Sequence, residues 1–162
     1  VIFADRQDAG EKLADLVAKK VHGNGLVLGI PRGGVVVAKA VAARLNWPLA
    51  AIHAKKIGAP GNPELAVGAK VWPPPPQVKG FKQLILVDDG VATGYTLEAA
   101  INYLKKSSPK AKLAAAVPVA AKDSAERLKK LVDQWICLYE PEELMAVGQF
   151  YREFEPVSVF AN

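Results

Sequence analysis

The chain has 162 residues, with 21 Lys and Arg against 16 Asp and Glu, a formal net charge of +5, and 51% apolar residues. That length fits a single domain over 1–162, and the apolar fraction with mixed-sign charge excludes a disordered chain. One cysteine excludes a disulfide scaffold, and the longest apolar run, Leu113–Ala121, is nine residues interrupted by Pro118, against the ~20 that a membrane helix needs. Along the chain, Leu13, Leu16, Val17 and Val21 recur at helical spacing, with Asp8 and Glu11 as an acidic capping box. Leu26–Ile30 reads as a buried strand. Gly33 and Gly34 open a second helix striped by Val37, Ala40, Val41 and Leu45, and Leu49–Ala54 is the next apolar run. Leu84–Val87 is the clearest strand, followed by a helix carrying Leu97, Ala100, Ile101 and Leu104. Leu113–Val117 is a strand whose pairing Pro118 should end. Asp123 and Glu126 cap a helix bearing Ala125, Leu128, Leu131 and Val132. Trp135–Leu138 is the last strand, and Pro141 suits the first turn of a helix toward Val147.

Five apolar strands separated by helices predict an α/β fold: a doubly wound, mainly parallel five-stranded sheet with helices on both faces. The stretch from about 59 to 80 breaks the rhythm. Pro60, Gly61, Pro63 and the run Pro73-Pro74-Pro75-Pro76 predict an irregular connection. In such sheets ligands bind beyond the carboxyl ends of the strands. The residues to watch are therefore Pro31-Arg32-Gly33-Gly34, Lys55-Lys56-Ile57-Gly58 and Asp88-Asp89-Gly90. The lysines are dispersed and no arginine-rich stripe with interleaved aromatics occurs, which argues against nucleic acid and leaves anionic small molecules. No basic stretch followed by an apolar run opens the chain, so a signal peptide is not expected and the cytoplasm is the default compartment.

The most informative stretch is Leu84-Ile85-Leu86-Val87-Asp88-Asp89-Gly90-Val91-Ala92-Thr93-Gly94-Tyr95-Thr96. It is a strand, an acidic pair, a small-residue loop and a helix start. Backbone N–H groups at a helix N-terminus make an anion nest, and Gly90 and Gly94 allow close approach of a phosphate. Thr93 and Thr96 add hydroxyl donors. Carboxylates beside that nest would repel a phosphate but accept hydrogen bonds from sugar hydroxyls. The combination describes a ribose 5-phosphate site.

These thirteen consecutive positions resemble the phosphoribosyl pyrophosphate (PRPP) signature of the type I phosphoribosyltransferases. Gly29-Ile30-Pro31-Arg32-Gly33-Gly34 stands where that family keeps its pyrophosphate loop, and Lys55-Lys56 where relatives of the adenine type carry a basic pair. Pro63–Ala69 and Ala146–Phe154 are similar to a bacterial and archaeal branch, so the resemblance runs from Phe3 to Phe154. It implies a transferase that binds PRPP with Mg²⁺, moves the phosphoribosyl group to a nitrogen base and releases pyrophosphate, and it implies a homodimer as one option. Val91, Ala92, Thr93, Gly94, Tyr95 and Thr96 would hold the 5-phosphate. Asp88 and Asp89 would hold the ribose hydroxyls and act with Lys56 as the catalytic set, Asp88 meeting the metal indirectly. Arg32, Gly33, Gly34, Lys55 and Lys56 would take the pyrophosphate. Asp88 and Asp89 would also stabilise positive charge at the anomeric carbon.

Two features depart from the family pattern. The flexible closing loop that most of these enzymes carry between the second strand and the PRPP strand is short here, replaced by the proline bridge. That keeps a second reading open: a non-catalytic PRPP- or nucleotide-sensing regulator on the same fold. Ala92 and Pro118 stand where the hypoxanthine-type enzymes use an Asp and a Lys to read the base, so the acceptor pocket differs from a hypoxanthine or guanine site. Among the remaining residues, Asp5-Arg6 reads either as a structural ion pair, the favoured reading, or as a pair that approaches the site, and Cys137 reads as core. Phe150, Tyr151 and Phe154 read as core more than as base-stacking groups. Glu64 either orients the lysine loop or lies on the surface, and His22 and His53 lack metal partners at ligand spacing.

Overall fold

Strands that are apolar on both faces must be covered on both, and the chain meets this by placing helices above and below one sheet. The computed structural model describes residues 2–59, 62–71 and 76–157, with 55–59 and 62–71 described by their backbone alone. The elements are α1 (Arg6–Lys20), β1 (Leu26–Gly29), α2 (Gly33–Leu45), β2 (Leu49–Ala51), β3 (Ala54–Ala59), β4 (Asn62–Val71), β5 (Gln83–Val87), α3 (Tyr95–Ser107), β6 (Lys112–Val119), α4 (Lys122–Lys129), β7 (Gln134–Tyr139) and a 3₁₀ turn at Val147–Phe150. The five-stranded sheet has the order β2-β1-β5-β6-β7, and every pairing in it is parallel. The predicted α/β architecture is the observed one.

Side chains alternate between the two covers. Val27, Ile85, Val87, Ala114 and Ile136 pack with Leu13, Val17, Val37 and Val41 of α1 and α2. Leu28, Leu84, Leu86, Leu113 and Val117 pack with Leu97, Ile101 and Leu104 of α3 and with Leu128 of α4. Each such fully buried leucine or isoleucine contributes on the order of 1.5–3 kcal/mol relative to exposure. A third cluster joins Phe3, Ala9, Val119 and Tyr151 where the two ends of the described chain meet.

Local differences from the sequence pattern have identifiable causes. The cap of α1 is Asp5, whose carboxylate accepts from the Asp8 N–H at 2.8 Å while Asp8 Oδ2 accepts from the Ala4 N–H at 2.9 Å, so the box sits three residues earlier than Asp8 and Glu11 suggest. Asp123 lies inside α4, whose N-cap is Ala121 without a side-chain cap. The irregular connection expected over 59–80 is partly a hairpin: β3 and β4 pair antiparallel from Ala54↔Val71 to Ala59↔Asn62. Pro63 is only the second residue of β4, a position where a missing N–H is tolerated. Of the proline run, residues 73–75 lie outside the described residues. β6 continues past Pro118 to pair Val119 with Tyr139, because β5 has already ended at Val87 opposite Ala116. Among the described residues, no α-helix follows Pro141. Its carbonyl accepts from Lys122 N–H, and the N–H of Met145 goes to Gln149 Oε1, which removes both ends of the first i→i−4 bond. Among the described residues, no helix is long and apolar enough to cross a membrane.

Candidate functional site

The sheet order fixes where a ligand can enter. From β1 the chain moves outward to β2, then returns to place β5 on the other side of β1. The strand order therefore reverses between β1 and β5, and the crevice beyond their carboxyl ends is the topological switch point. The β1–α2 turn, Pro31–Gly34, and the β5–α3 loop, Asp88–Gly94, both issue there.

Asp88 and Asp89 stand at the base of this crevice, each made partly accessible by the end of β5. Asp88 Oδ1 accepts from the Asp89 N–H at 2.8 Å. Burial, with the neighbouring Asp89 carboxylate as the second cause, holds Asp88 well above the ordinary carboxylate range. Asp89 Oδ2 accepts from Arg6 Nε at 2.9 Å, with the two side chains only 16% and 13% exposed. Arg6 thus joins the site, the less favoured of the two readings its sequence position offers. No local spacing signals a partner 83 positions away. The start of α2 lies directly against the acids. A Cβ on Gly34 would come within 2.9 Å of Asp88 Oδ1 and 3.0 Å of Val87 O, and one on Gly33 would overlap Asp89 Oδ2 and Arg6 Nε. These glycines are needed for close approach, the condition under which a glycine is irreplaceable.

Two runs of amides flank the pair. The N–H groups of Arg32, Gly33 and Gly34 donate to no group among the described residues, and the Pro31–Arg32 peptide is cis. Arg32 is exposed, with Nη1 3.5 Å from the Val157 carbonyl. In the second run, Ala92, Thr93, Gly94 and Thr96 likewise donate to no described group. Gly94 adopts φ +80° as the N-cap of α3, and Tyr95 and Thr96 begin the helix. Val91, expected among the phosphate-binding residues, is instead committed to the sheet. Its N–H donates to Val119 O and its carbonyl accepts from Ala121 N–H, both at 2.9 Å, and its side chain is buried. Behind the loop the carbonyl of Ala92 accepts from Ser124 Oγ at 2.6 Å, and that of Thr93 from Arg127 Nη2. A cleft of about 350 Å³ opens on that α4 side, between Arg127, Asp123, Glu142 and Met145.

The aromatic segment forms one wall. Tyr151 donates its hydroxyl to Asp89 O at 2.6 Å, and burial, with the Asp89 charge second, pushes its phenol upward. Its ring lies 4.9 Å from that of Phe154, and the Arg6 guanidinium sits 3.8 Å over Phe154 while donating to Glu155 O. Phe150 meets Tyr139 edge-on at 5.9 Å. Val147 packs on Gly90, where any side chain would collide with it. These contacts agree with the core reading of the aromatics and add a function that spacing did not reveal: they hold the acid loop. The side chains of Lys55, Lys56 and Glu64 lie outside the described residues, and the lysine backbone pairs with Lys70 and Ala69. His22 and His53 are exposed, and Cys137 donates to Tyr139 O at 3.2 Å.

The donor set suits a hard cation that takes few protein ligands. Asp88 and Asp89 offer carboxylate oxygens, and no group of three or more His, Cys, Asp or Glu able to cage a metal occurs among the described residues. Mg²⁺ commonly takes one or two carboxylates and keeps its waters and substrate phosphates.

Comparison with known proteins shows the family and the fold. Residues 4–144 match the phosphoribosyl transferase domain family. A Mycobacterium tuberculosis protein whose name places it among the phosphoribosyl transferases is 34% identical over 97% of this chain and 44% of its own length. The chain thus spans less than half of the curated relatives it matches in that organism. A solved Thermus thermophilus protein is 34% identical with a TM-score of 0.87, covering 98% of this chain and 94% of its own. The purine phosphoribosyltransferase of Pyrococcus horikoshii, 22% identical, shares the fold with a TM-score of 0.64 over 94% of this chain and 92% of its own.

Proposed function

Since this chain belongs to the phosphoribosyl transferase domain family, we propose that it binds PRPP at the β1–β5 switch point and transfers the 5-phosphoribosyl group to a nitrogen base. The amides of Ala92, Thr93 and Gly94, with Tyr95, Thr96 and the threonine hydroxyls, take the 5-phosphate. Asp88 and Asp89 accept from the ribose hydroxyls. Arg32, the amides of Gly33 and Gly34, and Lys55 or Lys56 take the pyrophosphate. As the bond from the anomeric carbon to pyrophosphate breaks and that to the base nitrogen forms, Asp88 and Asp89 stabilise the positive charge at that carbon. When Mg²⁺ is bound, Asp88 and Asp89 are the residues placed to meet it through water, and it offsets negative charge on the leaving group.

The observation that carries this reading is the pair of amide runs, Arg32–Gly34 and Ala92–Gly94, on either side of the acid pair, neither of which has a partner among the described residues. Their separation by two carboxylates suits a ligand with an anion at each end and hydroxyls between. The test is calorimetry with PRPP and Mg²⁺ on the wild type and on Asp88→Asn/Asp89→Asn. Binding by the wild type and at least tenfold weaker binding by the variant supports the assignment, and equal affinity removes it.

A second reading is a PRPP- or nucleotide-sensing regulator without turnover. Between β2 and β5 the chain carries the β3–β4 hairpin and then residues 72–82, so a segment that closes over substrate and excludes water has to be supplied by that hairpin or by that short connection. Pyrophosphate release with PRPP and a panel of nitrogen bases separates the two: release on any base identifies a transferase, and tight binding without release on all of them identifies the sensor.

A further inference from the structure

We propose that Ser124 and Arg127 of α4 are positioning residues that set the phosphate loop for its anion by taking up its carbonyl groups. The inference rests on the assignment of the 5-phosphate to this loop and goes beyond it by naming what orients the loop. In a planar trans peptide the carbonyl and the following N–H point in opposite directions. The carbonyl of Val91 is held by the Ala121 N–H, that of Ala92 by Ser124 Oγ and that of Thr93 by Arg127 Nη2. Three successive carbonyls are therefore anchored on the side of β6 and α4. The three matching N–H groups, those of Ala92, Thr93 and Gly94, face the opposite way, and none has a partner among the described residues. A flipped peptide would put a carbonyl oxygen against the anion.

Ser124 and Arg127 are three residues apart, so one face of α4 supplies both anchors. Ser124 is buried at 4% exposure. Arg127 is held in turn by Glu98 of α3, with Nε 3.1 Å from Oε1, and its guanidinium lies 5.1 Å from the Tyr95 ring centroid. Glu98 balances the arginine charge, so the guanidinium acts on the loop through geometry more than as a cation drawing in the phosphate.

The experiment is calorimetry with ribose 5-phosphate and, separately, inorganic pyrophosphate on the wild type, Arg127→Met, Arg127→Lys and Ser124→Ala, at low salt and at 0.5 M salt. Thermal unfolding is followed in parallel. Arg127→Met should weaken ribose 5-phosphate roughly tenfold, the effect of losing one charge-assisted hydrogen bond. Pyrophosphate affinity should be unchanged, and Arg127→Lys should recover part of the loss because its ammonium can still donate to Thr93 O. The ratio between wild type and Arg127→Met should persist at high salt, where a screened charge effect would shrink. Should Ser124→Ala fail to fold, the arginine variants decide alone. If the wild type binds ribose 5-phosphate and the arginine variants match it, the clamp is wrong and the phosphate site stands. Parallel loss of both ligands reduces Arg127 to a structural role. No ribose 5-phosphate binding by the wild type removes the site assignment and the clamp with it.

Discussion

Replacing Arg6 by methionine isolates the electrostatics of the acid pair. Methionine keeps much of the packing against Phe154 and removes the cation that Asp89 contacts at 2.9 Å. Breaking a buried ion pair by deleting one partner costs about 3–5 kcal/mol. With both side chains slightly wetted, at 13% and 16% exposure, the lower end, about 3 kcal/mol, is appropriate. For a chain of this length each kcal/mol lowers the Tm by roughly 2–4 °C, so the expected loss near pH 7 is roughly 6–12 °C. Its pH dependence has a definite sign. Asp88 is already held above its ordinary value, chiefly by burial, and Arg6 is one of the groups pulling it down. Without Arg6 it rises further. A carboxyl whose folded value exceeds its unfolded value opposes folding at high pH and is relieved as pH falls toward the ordinary carboxylate range. The deficit of Arg6→Met against wild type should therefore be largest at pH 7–8 and narrow toward pH 5. Circular dichroism melts at each pH, with Arg6→Met/Asp89→Asn alongside, check this. The double variant should regain more than half of the lost Tm. A deficit that is flat with pH and untouched by Asp89→Asn would show that Arg6 works through Phe154 and Glu155, and would refute the electrostatic account.

Asp88→Asn should raise the Tm at pH 7, by about 1 kcal/mol or more of stability, because it removes the buried charge while its Oδ1 can still accept from the Asp89 N–H. The gain should vanish near pH 4 and be accompanied by loss of ribose 5-phosphate binding, read by calorimetry. Gly34→Ala should destabilise by about 1–3 kcal/mol through overpacking, since its methyl meets Asp88 Oδ1 at 2.9 Å and the Asp88 Cα and Val87 O at 3.0 Å; urea unfolding measures it. Cys137, pushed up to about 12 by burial, should stay unreacted with a disulfide reagent at pH 8 in the folded chain and react fully once denatured.

The five sheet strands and four helices follow from residues that the pattern makes plain: Leu26–Ile30, Leu84–Val87 and Leu113–Val117 are too apolar to lie anywhere but inside a covered sheet. The β5–α3 loop was legible for the same local reason, because strand, acids, small residues and helix start are contiguous. The contact of Arg6 with Asp89 was not, since it is set by packing of α1 against α2, β6 and β7 and no local interval encodes that. The bond from Val91 N–H to Val119 O was not legible either, because a loop amide and a sheet amide look alike in sequence. The β3–β4 hairpin was hidden by Pro60 and Pro63, which suppress a strand reading even though Leu65, Val67, Ala69 and Val71 alternate. Ser124 and Arg127 carry no sequence signal beyond being three apart on an ordinary amphipathic helix.

The contacts of Arg6 reach 83 residues to Asp89 and 149 residues to Glu155, and Phe3 N–H bonds Phe150 O. Such closures span nearly the whole described chain, and pairings of that separation are entropically late in folding. During synthesis the two acids and their arginine leave the ribosome well before Tyr151 and Phe154 can anchor them. A nascent chain that has reached only α3 carries both acids and Arg6 without the aromatic wall that fixes them, so the acid loop is anchored only after residues 151–154 have been made.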